Sequence, residues 1–291
     1  MTISMDPIIF NVGSHPVGWH GIMMVTGIIV AVLLSGRWAE KEGITAETVY
    51  TSAFWIVLFG LIGARLSHVI DDFDFYSDNI SQIPAVWEGG MGWYGGYVGG
   101  IVGGVVYAKL TKIPLGKFAD AIALGGILGL AIGRIGCTMN GDAYGTPASL
   151  PWGLTYTHVD TYADLFVKGH PAPVYEIIWI LSISIALWLL SGKKLPLTWL
   201  GVLGAAMAII LNLIISCDLW TRCWVNMFAI AVVIFLSVIV FFVLSKLRRW
   251  LDPPGSLFLA TMALYSFGRF FISWARAESD VLGPLHQAHI F

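Results

Sequence analysis

The sequence predicts an all-α polytopic membrane protein with about eight transmembrane helices and both termini outside. Three observations carry that prediction. Hydrophobic residues make up 57% of the chain and charged residues 12%, with a mean hydropathy of +0.78, which excludes an ordinary soluble domain. Apolar runs of spanning length recur from one end of the chain to the other. Thirteen tryptophans suit a chain with many membrane–water boundaries. Residues 1–291 read as one integral membrane domain, and no nucleic-acid partner is expected. Cys137, Cys217 and Cys223 form neither a CxxC pair nor a zinc spacing.

The predicted spans are 18–36, 50–70, 93–110, 118–137, 173–191, 197–216, 224–245 and 256–275. Basic residues orient them. Arg37 and Lys41, Lys109 to Lys117, Lys193 and Lys194, and Lys246 to Arg249 all fall in connections on one side, the cytoplasmic one. The other side receives the N-terminus, the Asp71–Asp74 loop, the long 138–172 connection, the Cys217–Cys223 loop and the C-terminus. The 138–172 connection reads as an outer-surface loop or a small cap.

Taken in order, span one opens with Trp19-His20-Gly21, a boundary histidine that is either structural or functional. Span two brings Arg65 near the outer face, where Asp71, Asp72 or Asp74 could neutralise it or an anion could take their place. Span three follows WEGGMGWYGG (87–96). Its glycines at 92, 96, 100 and 104 recur at the spacing that lets membrane helices approach closely. A dinucleotide fingerprint is rejected there because no strand precedes it. Tyr94 would sit beside free amides that favour an anion. Span four carries Gly125, Gly129 and Gly133 on one face and delivers Arg134 into a polar turn, Asn140-Gly141-Asp142 and Gly145.

An arginine in a membrane helix costs about 2.5–3.5 kcal/mol at the helix centre. Arg134 therefore either snorkels to the surface or holds something anionic. Glu176, just inside span five, caps a helix end or lines a site. Span eight places Tyr265 and Arg269 four apart on one face, with Arg276 seven further on. His20, Arg65, Tyr94, Arg134, Asn140, Asp142, Glu176 and Arg269 thus collect in the outer half of the membrane. Arginine forks suit phosphate oxygens, so the natural ligand is a phospholipid headgroup.

At DPIIFNVG (6–13), WHG (19–21), IGARLS (62–67), WEGGMGWYGG (87–96), GRIGCTMNGDAYG (133–145), HPAPVYE (170–176) and YSFGR (265–269) the chain resembles the bacterial prolipoprotein diacylglyceryl transferases. The resemblance implies transfer of the diacylglyceryl group of phosphatidylglycerol to the cysteine thiol of a lipoprotein precursor with a lipobox signal peptide. A thioether forms and glycerol phosphate leaves. It further implies no cofactor, a place in the bacterial cytoplasmic (inner) membrane and a site facing the outer leaflet. Arg134 and Arg269 would bind the phosphate, Asn140, Gly141 and Gly145 would shape the headgroup turn, and Tyr265 would line the site. His20 and Tyr94 complete the expected catalytic set, with Asp142, Arg65 and Glu176 among the lipid contacts.

The chain also departs from that family. The family usually has tyrosine at the position of His20 and histidine at that of Tyr94, so the two types are exchanged and His20 is a candidate base. Asparagine is common at Cys137, and glutamate at Asp142 and Ser273. Residues 195–250 look like a two-helix insertion, and the chain ends at Phe291 where the family continues through another helix. The rival expectation is a non-catalytic phospholipid-binding or lipid-moving protein with the same headgroup pocket.

Overall fold

The computed structural model describes residues 1–13, 15–86, 89–190, 253–273, 275–277, 280–282 and 285–286. Predicted spans six and seven, the Cys217–Cys223 loop and the proposed 195–250 insertion lie outside the described residues. In chain order the elements are β1 (Thr2–Ile3), β2 (Ile8–Val12), β3 (His15–Gly18), α1 (Trp19–Lys41), α2 (Ala46–Asp71), α3 (Phe73–Asp78), α4 (Trp93–Leu110), α5 (Leu115–Asn140), β4 (Leu154–Tyr156), β5 (Lys168–Gly169), α6 (Ala172–Leu190), α7 (Ser256–Ser273), β6 (Asp280–Leu282) and β7 (Leu285–His286). Four of the helices, α1, α2, α5 and α7, are long and apolar enough to cross a membrane, and α6 adds a shorter apolar helix over Ala172–Trp188. The protein is a mostly helical, multi-pass membrane protein. Its chain contacts group into two compact units, Val32–Ile122 and the remainder, where the sequence alone reads as one domain.

In the unit Val32–Ile122, α2 and α4 pack through small residues. A Cβ on Gly95 would overlap the Gly63 carbonyl oxygen, one on Gly99 that of Phe59, and one on Gly103 would lie 2.9 Å from that of Trp55. Gly96, Gly100 and Gly104 have roomier neighbours, at 3.3 Å or more. Both rows thus face α2: the 92–96–100–104 row expected from the sequence, closest at Gly92, where a Cβ would overlap Ser67, and the 95–99–103 row, which is the tighter against the α2 backbone. Two rows of the same four-residue period let the helices approach closely.

In the other unit, α1 and α5 run antiparallel in close contact. A Cβ on Gly27 would lie 2.5 Å from the Gly129 carbonyl oxygen, and the reverse is equally tight. Two turns on, a Cβ on Gly136 would lie 2.9 Å from the His20 Cα. Gly133, expected on this seam, has nothing within 4 Å. The seam therefore runs through Gly129 and Gly136 and sets the beginning of α1 against the end of α5.

The 141–171 connection folds around a small sheet. β1 pairs in parallel with β4, and β4 with β5 antiparallel, in the order β1-β4-β5. Leu154, Tyr156 and Ala163 form a small core that Ile3, Tyr144 and Val174 complete, and Val174 belongs to the first turn of α6. Tyr156 donates its hydroxyl to the Thr138 carbonyl of α5 at 2.9 Å. Burial pushes this phenol well above its ordinary range, and the nearby Asp142 and Cys137 add to the effect, so it remains a neutral donor. At Gly145 three segments meet: a side chain there would overlap the His170 carbonyl and crowd that of Ala275.

Gly129→Leu should lower stability by about 1–3 kcal/mol through overpacking of the α1–α5 seam. Gly133→Ala should leave it unchanged or slightly raised, since its surroundings are open. Thermal unfolding of the purified protein in detergent separates the two.

Candidate active site

α5 continues to Asn140, so Arg134 lies well inside the helix and the turn begins at Gly141. Gly141 has φ +79 and donates its N–H to the Cys137 carbonyl at 3.0 Å, a left-handed helix end that glycine adopts without strain. The Arg134 side chain is 13% exposed and meets the Glu176 side chain from α6, which is 1% exposed. Arg134 Nε lies 2.5 Å from Glu176 Oε2, an ion pair without good hydrogen-bond direction. Arg269 of α7 donates from Nη1 to Glu176 Oε1 at 2.9 Å. Arg276, just past the end of α7, brings its Nη1 to 3.6 Å from the same oxygen. Tyr265 lies one turn before Arg269 and hydrogen-bonds Arg134.

One buried carboxylate is thus shared by three guanidinium groups. Each of the three guanidinium groups meets this same anion. Glu176 is not a helix cap, as it stands beyond the first turn of α6. It is the internal counter-ion of the arginine cluster. Arg276, placed by the sequence beyond Tyr265 and Arg269 but given no role there, joins the cluster.

α6 and α7 are held together by a fitted pair. Trp179 donates its indole N–H to the Leu264 carbonyl at 3.0 Å, and a side chain on Gly268 would overlap the indole. The contact sets the height at which Arg269 meets Glu176. The prolines of HPAP fit the start of α6, at and just before its first turn. His170 and Trp152 both hydrogen-bond the Tyr175 hydroxyl there, at 3.4 and 2.8 Å.

Beside the cluster, His20 Nδ1 lies 3.2 Å from Asp142 Oδ2 and 3.5 Å from Cys137 Sγ. Arg134 Nη1 reaches the same sulfur at 3.7 Å. Cys137 is buried between the histidine and the arginine. The buried Asn140 accepts the His20 backbone N–H on its side-chain oxygen at 3.2 Å, while its carbonyl accepts from Thr161 Oγ1 at 2.9 Å. Asn140 therefore fixes the start of α1 as well as shaping the turn.

Arg65 and Tyr94 belong to the other unit. Arg65 is buried, and its fork donates to the carbonyls of Gln82, Ile83, Gly89 and Gly90 at 2.6–2.9 Å while its guanidinium lies over the Tyr76 ring. This arginine ties down the loop before α4. The expected alternatives for it, a carboxylate of the 71–74 loop or a lipid, give way to backbone carbonyls. Tyr94 stands in the first turn of α4.

A family model described as prolipoprotein diacylglyceryl transferase matches residues 7–213. Relatives named phosphatidylglycerol–prolipoprotein diacylglyceryl transferase are similar along nearly the whole chain. That of Clostridioides difficile is 30% identical over 286 residues, covering 98% of this chain and 89% of its own length. That of Trichormus variabilis is 27% identical over 289 residues, covering 99% and 84%. That of Listeria innocua is 26% identical over 291 residues, covering 98% and 84%.

Glu176→Gln should cost about 3–5 kcal/mol of stability, the usual result of leaving buried charges without their partner. A lowered unfolding temperature in detergent checks this; an unchanged one would mean that water already neutralises the arginines.

Proposed function

The chain belongs to the prolipoprotein diacylglyceryl transferase family, and from that premise we propose how its residues move a diacylglyceryl group from phosphatidylglycerol to a precursor cysteine. The observation that carries the reading is the arginine cluster with its single carboxylate. A phosphodiester entering beside Arg134 and Arg269 meets clustered guanidinium groups whose planar forks suit its oxygens.

The cysteine sulfur attacks the glyceryl carbon bonded to the phosphate oxygen. The S–C bond forms as the C–O bond breaks, and the electron pair leaves on glycerol phosphate. Arg134 and Arg269 stabilise the charge that grows on that oxygen, with Arg276 as a third cation and Tyr265 holding Arg134 in place. Glu176 keeps the forks aimed before the lipid arrives.

The attacking thiol has an ordinary pKa of about 8.5, so a proton acceptor speeds the step near neutrality. His20 takes that role. Asp142 lies against Nδ1, which fixes the proton on that nitrogen and leaves Nε2 as the base. Gly141 and Gly145 shape the headgroup turn, and Asn140 keeps His20 at the mouth of α1.

The alternation of basic connections supports eight spans, both termini outside, residence in the bacterial cytoplasmic membrane and a site that opens to its outer leaflet. The acceptor is the lipobox cysteine of a precursor signal peptide.

The test is phosphatidylglycerol-dependent labelling of a lipobox peptide by the purified protein. Arg134→Ala and Arg269→Ala should each lower turnover by about 10²–10³-fold, the usual effect of removing a donor to a developing oxyanion. Folded protein that gives no product, beside an active positive control, would overturn the reading; full activity in either variant would remove that arginine from it.

His20→Gln should slow transfer most at neutral pH. The deficit should shrink as pH rises past about 8.5, where the thiol ionises without help. A deficit independent of pH would deny His20 the role of base.

A further inference from the structure

The turn between β4 and β5, residues 157–167, exposes apolar side chains where a loop tip is ordinarily polar. Val159 is 76% exposed, Tyr162 71% and Phe166 73%, with Leu165 and Val167 also exposed. Phe166 holds φ +61, a left-handed conformation that is costly for a bulky residue, and its N–H is donated to the Tyr156 carbonyl at 2.9 Å. The backbone is thus fixed in a form that presents the ring outward, with no packing inside the unit to compensate.

The position of this tip relative to a membrane follows from two hydrogen bonds. Thr161 Oγ1 donates to the carbonyl of Asn140 at 2.9 Å, and the Tyr162 N–H donates to the same oxygen at 3.3 Å. Asn140 is the last residue of α5, a helix apolar and long enough to span. A Cβ on Gly141 would overlap Thr161, so the tip also lies against the first residue after that helix. The middle of the loop is therefore held at the level where a span ends.

We propose that the 157–167 tip is a membrane-surface anchor, its Val159, Tyr162 and Phe166 side chains seated in the headgroup–acyl boundary beside the end of α5. Continuity with the apolar surface of the span selects lipid as the occupant. Tyrosine with its polar tip suits that boundary. The charged groups of the loop, His158, Asp160 and Asp164, with Lys168 following, limit the depth to the headgroup layer. The anchor keeps the 141–171 connection down on the bilayer from which the substrate lipid comes.

The experiment places an environment-sensitive NBD fluorophore at Phe166→Cys in a Cys217→Ser/Cys223→Ser background. The full chain is reconstituted into phosphatidylcholine–phosphatidylglycerol vesicles. The same background without the new cysteine reports any labelling of the buried Cys137. Blue-shifted emission, quenched more by shallow than by deep doxyl lipids, is expected. Solvent-like emission without quenching overturns the anchor, as does shielding that appears only when lipobox peptide is added, which would make the tip a peptide surface. In parallel, Val159→Ser/Phe166→Ser should raise KM for lipid several-fold in vesicles and leave turnover in detergent micelles unchanged. An equal loss in both media overturns the proposal without touching the transferase reading, because the micelle arm reads the chemistry alone.

Discussion

The site rests on one buried carboxylate that answers three guanidinium groups. Glu176 is 1% exposed and touches Arg134, Arg269 and Arg276 from separate segments of the chain. A charge so enclosed is tolerable only when paired. A lone arginine at the same depth would face the same penalty, so helix α6 and the cations stabilise one another. Without any acid, three like charges would have to be brought together as the protein folds. The shared acid lets the three guanidinium groups gather at one buried point.

The backbone makes that sharing possible by close approach at a few glycines. Gly27 against Gly129 and Gly136 against His20 bring α1 to α5 with no side chain between them. Gly268 seats Trp179, which locks α7 to α6 at the height of the Arg269–Glu176 pair. Gly145 lets the strand after the turn, the His170 segment and the residues following α7 cross at one point. Dispersion contacts and backbone proximity replace the hydrophobic effect as the source of cohesion where the surroundings are lipid.

Much of this could be read from the chain. Apolar runs gave six described helices nearly the right bounds, since bilayer thickness constrains length directly. Arg134 and Arg269 stood out because an arginine in an apolar helix demands a reason. The partners of these groups were less legible. Nothing near Glu176 in sequence distinguishes a cap from a counter-ion, because its three cations lie 42 or more residues away. Arg65 had acids close by in sequence, yet the fold gave it the carbonyls of residues 82–90. The α5 glycine seam showed the period and not the phase: Gly133 was expected inside and Gly136 was passed over. Periodicity names a helix face, and only the neighbouring helix says which face is used.

The least legible feature is how the cation cluster and the histidine are joined. Cys137 touches both, with its sulfur 3.7 Å from Arg134 Nη1 and 3.5 Å from His20 Nδ1. Sulfur is a weak acceptor and a small hydrophobe, so it can touch both groups without displacing Asp142 from the same histidine nitrogen. A carboxylate there would pair with Arg134 and compete with Glu176 for it. A large apolar residue would press on the α1–α5 contact at Gly136, one residue away, and move His20 with it. The small neutral residue lets His20 stand close to Arg134 while Asp142, on its own loop, pairs with the histidine. The arginines and the histidine therefore sit side by side, each against a different carboxylate, Glu176 and Asp142.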